Sequence, residues 1–245
     1  AIYDIKKKEI FISRDRYGIK PFYYFQNQDY FIFSSEIPPI LEVFPGKPKP
    51  DMQSVFDYLV FNRTGHKKNT FFHHIQKMLH GHCWVFDTKK TISSKASKWY
   101  NLKTQIEIQK DFQLSSEEFR KLLKDAIKIR LRSDVPVGVT LSGGLDSSAI
   151  LSIIIHDFDM KKIKTFSAVY ESGEYGDESE FIHLYSKELE NMYYTTPTAQ
   201  NLYDNLNKFI KSHGEPVPDA ATSAGYQLMP LVKKHAAVVL EGQGA

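Results

Sequence analysis

Hydrophobic and polar positions follow two different patterns in the two halves of the chain. In the first hundred residues, short aromatic or β-branched segments are separated by turn residues, which is typical of antiparallel strands. Strands are predicted at residues 1–4, 9–13, 21–25, 30–34, 70–75 and 82–87. A proline-rich loop at 44–50 and a helix at 51–61, with Asp51 as its N-cap, interrupt them.

The second half has longer apolar segments at helical spacing. Residues 102–114 lack a clear period and predict a linker, after which Ser115 and Glu118 form a capping box that opens a helix. One stripe of this helix is apolar and is expected to face the core: Phe119, Leu122, Leu123, Ala126 and Ile127.

Beyond that helix, strands and helices alternate. Strands are predicted at residues 135–141, 164–170 and 236–240, and helices at 149–155, 177–189, 199–212 and 223–235. Asp177 and Glu180 could cap the second of these helices as a box-like pair. This alternation predicts right-handed βαβ units and a parallel sheet.

Candidate chemistry concentrates at residues 142–148, between a predicted strand and a helix. Two glycines there let the backbone turn sharply, three serines add hydroxyl donors, and the new helix offers unpaired N–H groups. All of these donors suit an anion, and Asp146 beside bound phosphates is most simply explained by a bridging Mg²⁺. No Gly-Lys-Ser/Thr follows, so this is not a Walker A loop. The alternative is an ordinary Gly/Ser turn.

The predicted strands end at Leu141, Tyr170 and Leu240. Ligands of parallel sheets bind beyond the carboxyl ends of the strands. The loops after these strands, at 142–148, 168–170 and 241–244, should therefore gather around one nucleotide.

Composition narrows the class of protein. The 245 residues are 42% hydrophobic and 25% charged, with a net charge of +3 and scattered lysines, which argues against nucleic acid as a partner. One cysteine excludes an internal disulfide and fits a reducing cytoplasm, and no apolar run is long enough for a membrane. The chain begins without Met and ends abruptly, so a fragment is expected.

Four motifs in order carry a resemblance to the glutamine-hydrolysing asparagine synthetase family. Residues 13–24 and 33–37, 71–82 with 99–100, 133–148 and 241–245 resemble successive parts of those enzymes. The resemblance implies two domains, one α+β and one α/β. The C-terminal part of an N-terminal-nucleophile glutaminase sandwich would occupy 1–101. After the linker at 102–114, the N-terminal part of a parallel-sheet ATP pyrophosphatase (PP-loop) domain would occupy 115–245.

The resemblance also implies site residues. Asp15, with Arg14 nearby, would hold the α-amino group of glutamine, although Arg14–Arg16 could instead be a surface charge run that caps a turn. The nucleotide set divides by the part of ATP that each group would contact: adenine by Leu141, Ala168 and Val169; pyrophosphate by Ser142, Gly143, Gly144, Ser147 and Ser148; Mg²⁺ by Asp146; and ribose and α-phosphate by Glu241 and Gly242.

The implied reaction converts aspartate, glutamine and ATP into asparagine, glutamate, AMP and pyrophosphate. Two departures leave the acceptor open. Gln243 stands where such enzymes commonly carry a glutamate that helps form the adenylate, and residues 215–223 lack the arginine expected to grip aspartate. An amide or ring-forming ligase acting on another carboxylic acid is the alternative.

Other interpretations remain. A non-catalytic regulator that binds glutamine or nucleotide keeps the fold, whereas a PP-loop enzyme acting on tRNA leaves the first hundred residues unexplained. The glutaminase cysteine would lie upstream of residue 1. Cys83 resembles a small core residue, and the histidines around it match no zinc spacing. The expected partners are small molecules, and a homodimer is an open possibility.

Overall fold

The computed structural model describes residues 1–89, 96–104, 111–170, 177–219 and 221–242. The chain divides into two compact units. The first contains Ala1–Glu107 and Ile210–Pro218, and the second contains Ile108–Phe209 and Asp219–Ala245. The domain boundaries predicted at 101 and 114 stay a prediction.

The described part of the first unit contains two antiparallel sheets. Their strands are β1 (Ile2–Asp4), β2 (Glu9–Ser13), β3 (Tyr23–Gln26), β4 (Phe31–Ser34), β5 (Ile75–Lys77), β6 (His82–Asp87) and β7 (Ser97–Lys98). One sheet has the order β1-β2-β6-β7 and the other β4-β3-β5. A short 3₁₀ turn, Leu102–Thr104, follows.

Alternation along β2 explains how its sheet packs. Ile12 is fully buried in a cluster with Trp84 and Phe86, and Ile10 packs against the same cluster. Phe11, between them in sequence, points to the opposite face and is exposed. A period of two thus places one face of the strand in the core, as the sequence predicted.

The described residues before 105 contain the helices α1 (Ile37–Glu42) and α2 (Met52–Phe61). The prediction for α2 is confirmed, because the Asp51 carboxylate accepts a bond of 2.9 Å from the Ser54 N–H group. Helix α1, with prolines in its first turn, was not predicted. The strand predicted at 70–75 is wrong, since only Ile75 belongs to a strand there.

The second unit contains a sheet whose strands all run parallel: β8 (Val137–Thr140), β9 (Lys164–Ala168), β10 (Asn191–Thr195) and β11 (Val238–Leu240). Their order is β10-β9-β8-β11. The chain moves from β8 outward to β9 and β10 and then returns to the other side of β8. This reversal makes the carboxyl ends of β8 and β11 a topological switch point, where such sheets bind ligands.

The helices of this region are α3 (Phe112–Arg130), α4 (Leu145–Ser152) with a π turn at Ile153–Asp157, α5 (Ser179–His183), α6 (Ala199–His213) and α7 (Ala221–His235). The expectation of mixed α/β architecture, with antiparallel and parallel sheets, is confirmed. The finer fold names, glutaminase sandwich and PP-loop domain, stay predictions. No helix in the described ranges is long and apolar enough to cross a membrane.

Three local predictions for this half are wrong. Asp111, not Ser115, caps α3, because its carboxylate accepts a bond of 2.8 Å from the Leu114 N–H group. The predicted stripe of α3 is only partly core, since Phe119 and Leu122 are more than 60% exposed. The helix predicted at 177–189 is short, and Asp177 bonds to Ser179 without forming a box with Glu180.

Candidate functional site

The glycine loop, residues 142–148, joins the carboxyl end of β8 to the first turn of α4. Gly144 is the N-cap residue of α4, and no side chain caps the helix at this described position. Asp146 lies in the first turn and is exposed. The first N–H groups of a helix need partners and its N-terminus carries positive partial charge, so this end of α4 suits an anion.

Ser147 fixes the shape of the glycine loop from inside. Ser147 is only 5% exposed, and its hydroxyl makes three contacts within the loop. It accepts a bond of 3.3 Å from the Ser142 N–H group, lies 3.0 Å from the Ser142 hydroxyl and donates to the Gly144 carbonyl at 3.1 Å. The loop is therefore held in its turn by its own groups. The Ser147 hydroxyl, predicted to contact pyrophosphate, is already bonded within the loop.

Gly143 and the residues after β9 meet closely. Gly143 has φ of 92°, and a Cβ there would lie 2.7 Å from the backbone oxygen of Glu178. The Glu178 carboxylate lies 3.7 Å from the Cβ position of Gly144. Sequence reasoning missed Glu178, because the signal that places it here is the tertiary approach of two loops and not a local motif.

The segment after β11 also reaches the glycine loop. Strands β11 and β8 pair with Leu240 opposite Val139, and the Thr140 hydroxyl donates to the Leu240 carbonyl at 3.3 Å. A Cβ on Gly242 would lie 2.8 Å from the backbone nitrogen of Ser147 and 3.1 Å from the Cβ of Asp146. The structure thus brings Gly242 to the loop. Gln243, the predicted adenylate-forming position, lies outside the described residues.

The predicted adenine contacts occupy the same edge of the sheet. Leu141 is buried, and its N–H group donates to the Phe166 carbonyl at 2.9 Å. Ala168 ends β9, and the Val169 N–H group donates to the Thr195 carbonyl at 2.9 Å. Val169 packs against the cluster that contains Leu141. These backbone groups order the strand ends beside the glycine loop.

In the first unit, Arg14 clamps the loop that follows β2. Its guanidinium donates to the Lys20 and Gly18 carbonyls at 2.9 Å each and also to the Met78 carbonyl. Burial lowers the pKa of Arg14, although the nearby Asp15 opposes this. We call residues 14–20 the arginine loop.

Asp15 bonds to the backbone of the same loop. Its carboxylate accepts bonds of 3.1, 3.0 and 3.0 Å from the N–H groups of Tyr17, Ile19 and Lys20. Burial alone would raise the pKa of Asp15, but these backbone donors outweigh it and the pKa lies below its ordinary value. Arg14 and Asp15 both shape the loop, and their contact with glutamine stays a prediction.

Comparison with known families matches both halves of the chain. The asparagine synthase family matches residues 118–245, which include the glycine loop and the described residues up to Gly242. The glutamine amidotransferase domain matches residues 1–100, which include the arginine loop.

Individual relatives carry corresponding names. A Methanocaldococcus jannaschii protein, named provisionally as glutamine-hydrolysing asparagine synthetase 2, is 37% identical over 100% of this chain and 47% of its own length. Glutamine-hydrolysing asparagine synthetase 1 of Bacillus subtilis is 28% identical over 95% of this chain and 36% of its own length. Amidase chry2 of Gibberella zeae is 27% identical over 73% of this chain and 28% of its own length.

The chain therefore spans less than half the length of these three relatives. The family matches agree in order with the two compact units and their loops. The chain belongs to the glutamine-hydrolysing asparagine synthetase family.

Proposed function

We propose that the protein catalyses ATP-dependent amide synthesis, in which aspartate, glutamine and ATP give asparagine, glutamate, AMP and pyrophosphate. The observation that carries the proposal is the glycine loop at the switch point of a parallel sheet. Its helix N-terminus has no side-chain cap, and Gly242 approaches it closely. This arrangement suits a chain of phosphates and leaves no room for a side chain at Gly143 or Gly242.

The first step is attack of the aspartate side-chain carboxylate on the α-phosphorus of ATP. The bond between the α-phosphorus and the bridging oxygen breaks, and pyrophosphate leaves with the electron pair. The glycine loop and the N-terminus of α4 stabilise the negative charge that grows on the leaving pyrophosphate. A group placed where charge develops lowers the barrier most. Ser142 and Ser148, at the two ends of the glycine loop, would be further hydroxyl donors to the pyrophosphate.

Mg²⁺ fits the same place. Asp146 is an exposed carboxylate in the first turn of α4, next to a site that suits phosphates. An isolated carboxylate there would repel phosphate oxygens, whereas Mg²⁺ commonly binds one or two carboxylates together with phosphates. Asp146 would hold the ion, which would supply neutralising charge to the phosphates.

In the second step ammonia attacks the acyl carbon and AMP leaves. Ammonia would come from glutamine hydrolysis in the first unit, with Asp15 and Arg14 in the loop assigned to glutamine. Their bonds support a role in holding the loop's backbone in place. A neutral amide at Gln243 cannot accept a proton at neutral pH, so it would act there only as a hydrogen-bonding group.

The identity of the acceptor is tested by adding candidate carboxylic acids to the reaction. The complete natural protein is incubated with ATP, Mg²⁺, ammonia and either aspartate or another carboxylic acid. We expect AMP and pyrophosphate to form only with aspartate, together with asparagine. Pyrophosphate formed only with a different acid would refute aspartate as the acceptor, and ADP with phosphate would refute the assignment of the glycine loop.

A further inference from the structure

A short segment late in the sequence belongs to the first compact unit. Residues 210–218 group with the first unit, whereas the residues immediately before and after them belong to the second. The segment comprises the last turn of α6 and the connection toward α7. The chain therefore crosses between the units not once but three times.

Hydrogen bonds between side chains and backbone groups hold the segment within the first unit. The Glu215 carboxylate accepts a bond of 2.8 Å from the Phe71 N–H group. The Tyr58 hydroxyl donates to the Val217 carbonyl at 2.9 Å, and the Asn62 amide donates to the Pro218 carbonyl at 2.9 Å. These partners lie about 140 to 160 residues apart in sequence from the segment they hold.

Glu215 is the charged member of this set and is partly buried. Burial raises its pKa, which the Phe71 N–H group and Lys77 oppose. Lys77 is also partly buried; burial and the nearby Arg14 lower its pKa, and Glu215 raises it. The carboxylate thus interacts with the positive charge of Lys77 and also accepts a bond from a backbone N–H group.

We propose that Glu215 is a positioning residue that anchors residues 210–218 in the first unit and thereby couples the supply of ammonia to amide formation. The coupling part rests on the proposed function. Residues 210–218 join two stretches of the second unit, so bonds that hold this segment restrict the loop that connects those stretches. Losing the anchor should therefore uncouple the two reactions without abolishing either.

The test compares Glu215→Ala and Glu215→Gln in the complete natural protein. Glutamine keeps an oxygen that can accept the Phe71 bond, whereas alanine removes it. Glu42→Ala serves as the control, since Glu42 is an exposed glutamate of the same unit. Three quantities are measured: asparagine formed per glutamate released, synthesis from added ammonia, and hydrogen exchange of the Phe71 amide.

In Glu215→Ala, we expect the Phe71 amide to exchange at least about tenfold faster, because a bond to a charged acceptor is lost. The ratio of asparagine to glutamate should fall, and synthesis from glutamine should fall by more than synthesis from added ammonia. Glu215→Gln should change the Phe71 exchange rate and the ratio of asparagine to glutamate less than Glu215→Ala does. Glu42→Ala should match the native protein in all three quantities.

Two results would overturn the proposal. Unchanged exchange at Phe71 in Glu215→Ala would refute the anchor. A variant that loses ammonia-dependent synthesis as much as glutamine-dependent synthesis would refute coupling and indicate general destabilisation. If the native protein makes no amide at all, the proposed function fails, but the exchange measurement still tests the anchor by itself.

Discussion

The arginine loop and the glycine loop each contain an aspartate and glycine, but they satisfy their polar groups in opposite ways. In the arginine loop, Arg14 and Asp15 direct their side chains at the loop's own backbone. In the glycine loop, Ser147 bonds internally, but the N-terminus of α4 has no side-chain cap and Asp146 is exposed. The charged groups of the arginine loop bond to its own backbone, whereas the Asp146 carboxylate and the N-terminus of α4 are open to a ligand.

This difference shows why residue type alone does not identify a site. A charged residue whose bonds are filled by the backbone contributes to shape, whereas donors that remain open in a preformed turn are available to a ligand. The comparison predicts that changes in the glycine loop reduce ATP chemistry first. Changes in the arginine loop should reduce stability first.

The largest expected effect is in the glycine loop. Gly143→Ala places a Cβ 2.7 Å from Glu178 at a φ of 92°, so the loop must deform. We expect the rate of pyrophosphate release to fall about 100- to 1000-fold, the range seen when one donor to a transition-state charge is lost. Pyrophosphate release with aspartate and ammonia is the measurement.

Gly225→Ala is the matched control. Gly225 lies within α7, and a Cβ there would meet no atom within 4 Å. This change should leave the rate intact and add about 0.5–1 kcal/mol of stability, because alanine favours a helix interior over glycine. A Gly143→Ala variant with the native rate would show that the loop does not bind the phosphates.

The next largest effect is in the arginine loop. Arg14→Ala removes donors to the carbonyls of Gly18, Lys20 and Met78. We expect the free energy of unfolding to fall by about 2 kcal/mol, since several bonds from a charged donor are lost. Denaturant unfolding measures the change. Arg16→Ala, which removes a guanidinium that lies over the ring of Trp99, should cost clearly less. Equal losses of unfolding free energy in the two variants would contradict the role of Arg14 in holding the arginine loop.

Asp15 adds a pH dependence to the same loop. The folded protein holds the pKa of Asp15 below its ordinary value, so its contribution to stability is present at neutral pH and is lost as the pH falls through the folded pKa. Asp15→Asn should cost about 1 kcal/mol near pH 7, a modest value because the group is largely solvated. The difference from the native protein should shrink as the pH falls below the ordinary pKa of an aspartate, about 3.9, and through the lower folded value. A difference that stays constant with pH would exclude the carboxylate as its source.

The smallest expected effect is at a polar group that is buried in the core without a partner and is not open to a ligand. Thr165 in β9 is 1% exposed, and its hydroxyl has no partner among the described residues. Thr165→Val should therefore raise the free energy of unfolding by about 0.5–1 kcal/mol, because a buried polar group without a partner is a cost. Thr140→Val, which removes a hydroxyl bonded to Leu240, should not stabilise. Destabilisation by Thr165→Val would show that its hydroxyl is satisfied.

Local patterns predicted much of the fold. Asp51 caps α2 as the sequence indicates, and the strand before the glycine loop ends near Leu141 as expected. Strand β10 was missed because Asn191–Thr195 pairs along β9 without a polar–apolar alternation of its own. The wrong cap at Ser115 shows that a capping-box pattern fails where Asp111 offers an earlier N-cap.

The candidate site was predictable only where a motif is local. The glycine loop and the segment at Gly242 follow from strand ends in a parallel sheet, and the structure brings them together. Glu178 and Glu215 were not predicted as contacts, since each acts on residues 35 to about 144 positions earlier in the sequence. No period or spacing encodes such contacts, because tertiary packing determines them.

One isotope experiment tests the central claim most directly. The complete natural protein is supplied with ATP, Mg²⁺, ammonia and aspartate that carries ¹⁸O in its side-chain carboxylate, and the products are examined by mass spectrometry. Attack of the carboxylate on the α-phosphorus predicts one ¹⁸O atom in each AMP and unlabelled pyrophosphate. AMP without label, or ADP and labelled phosphate, would contradict the account.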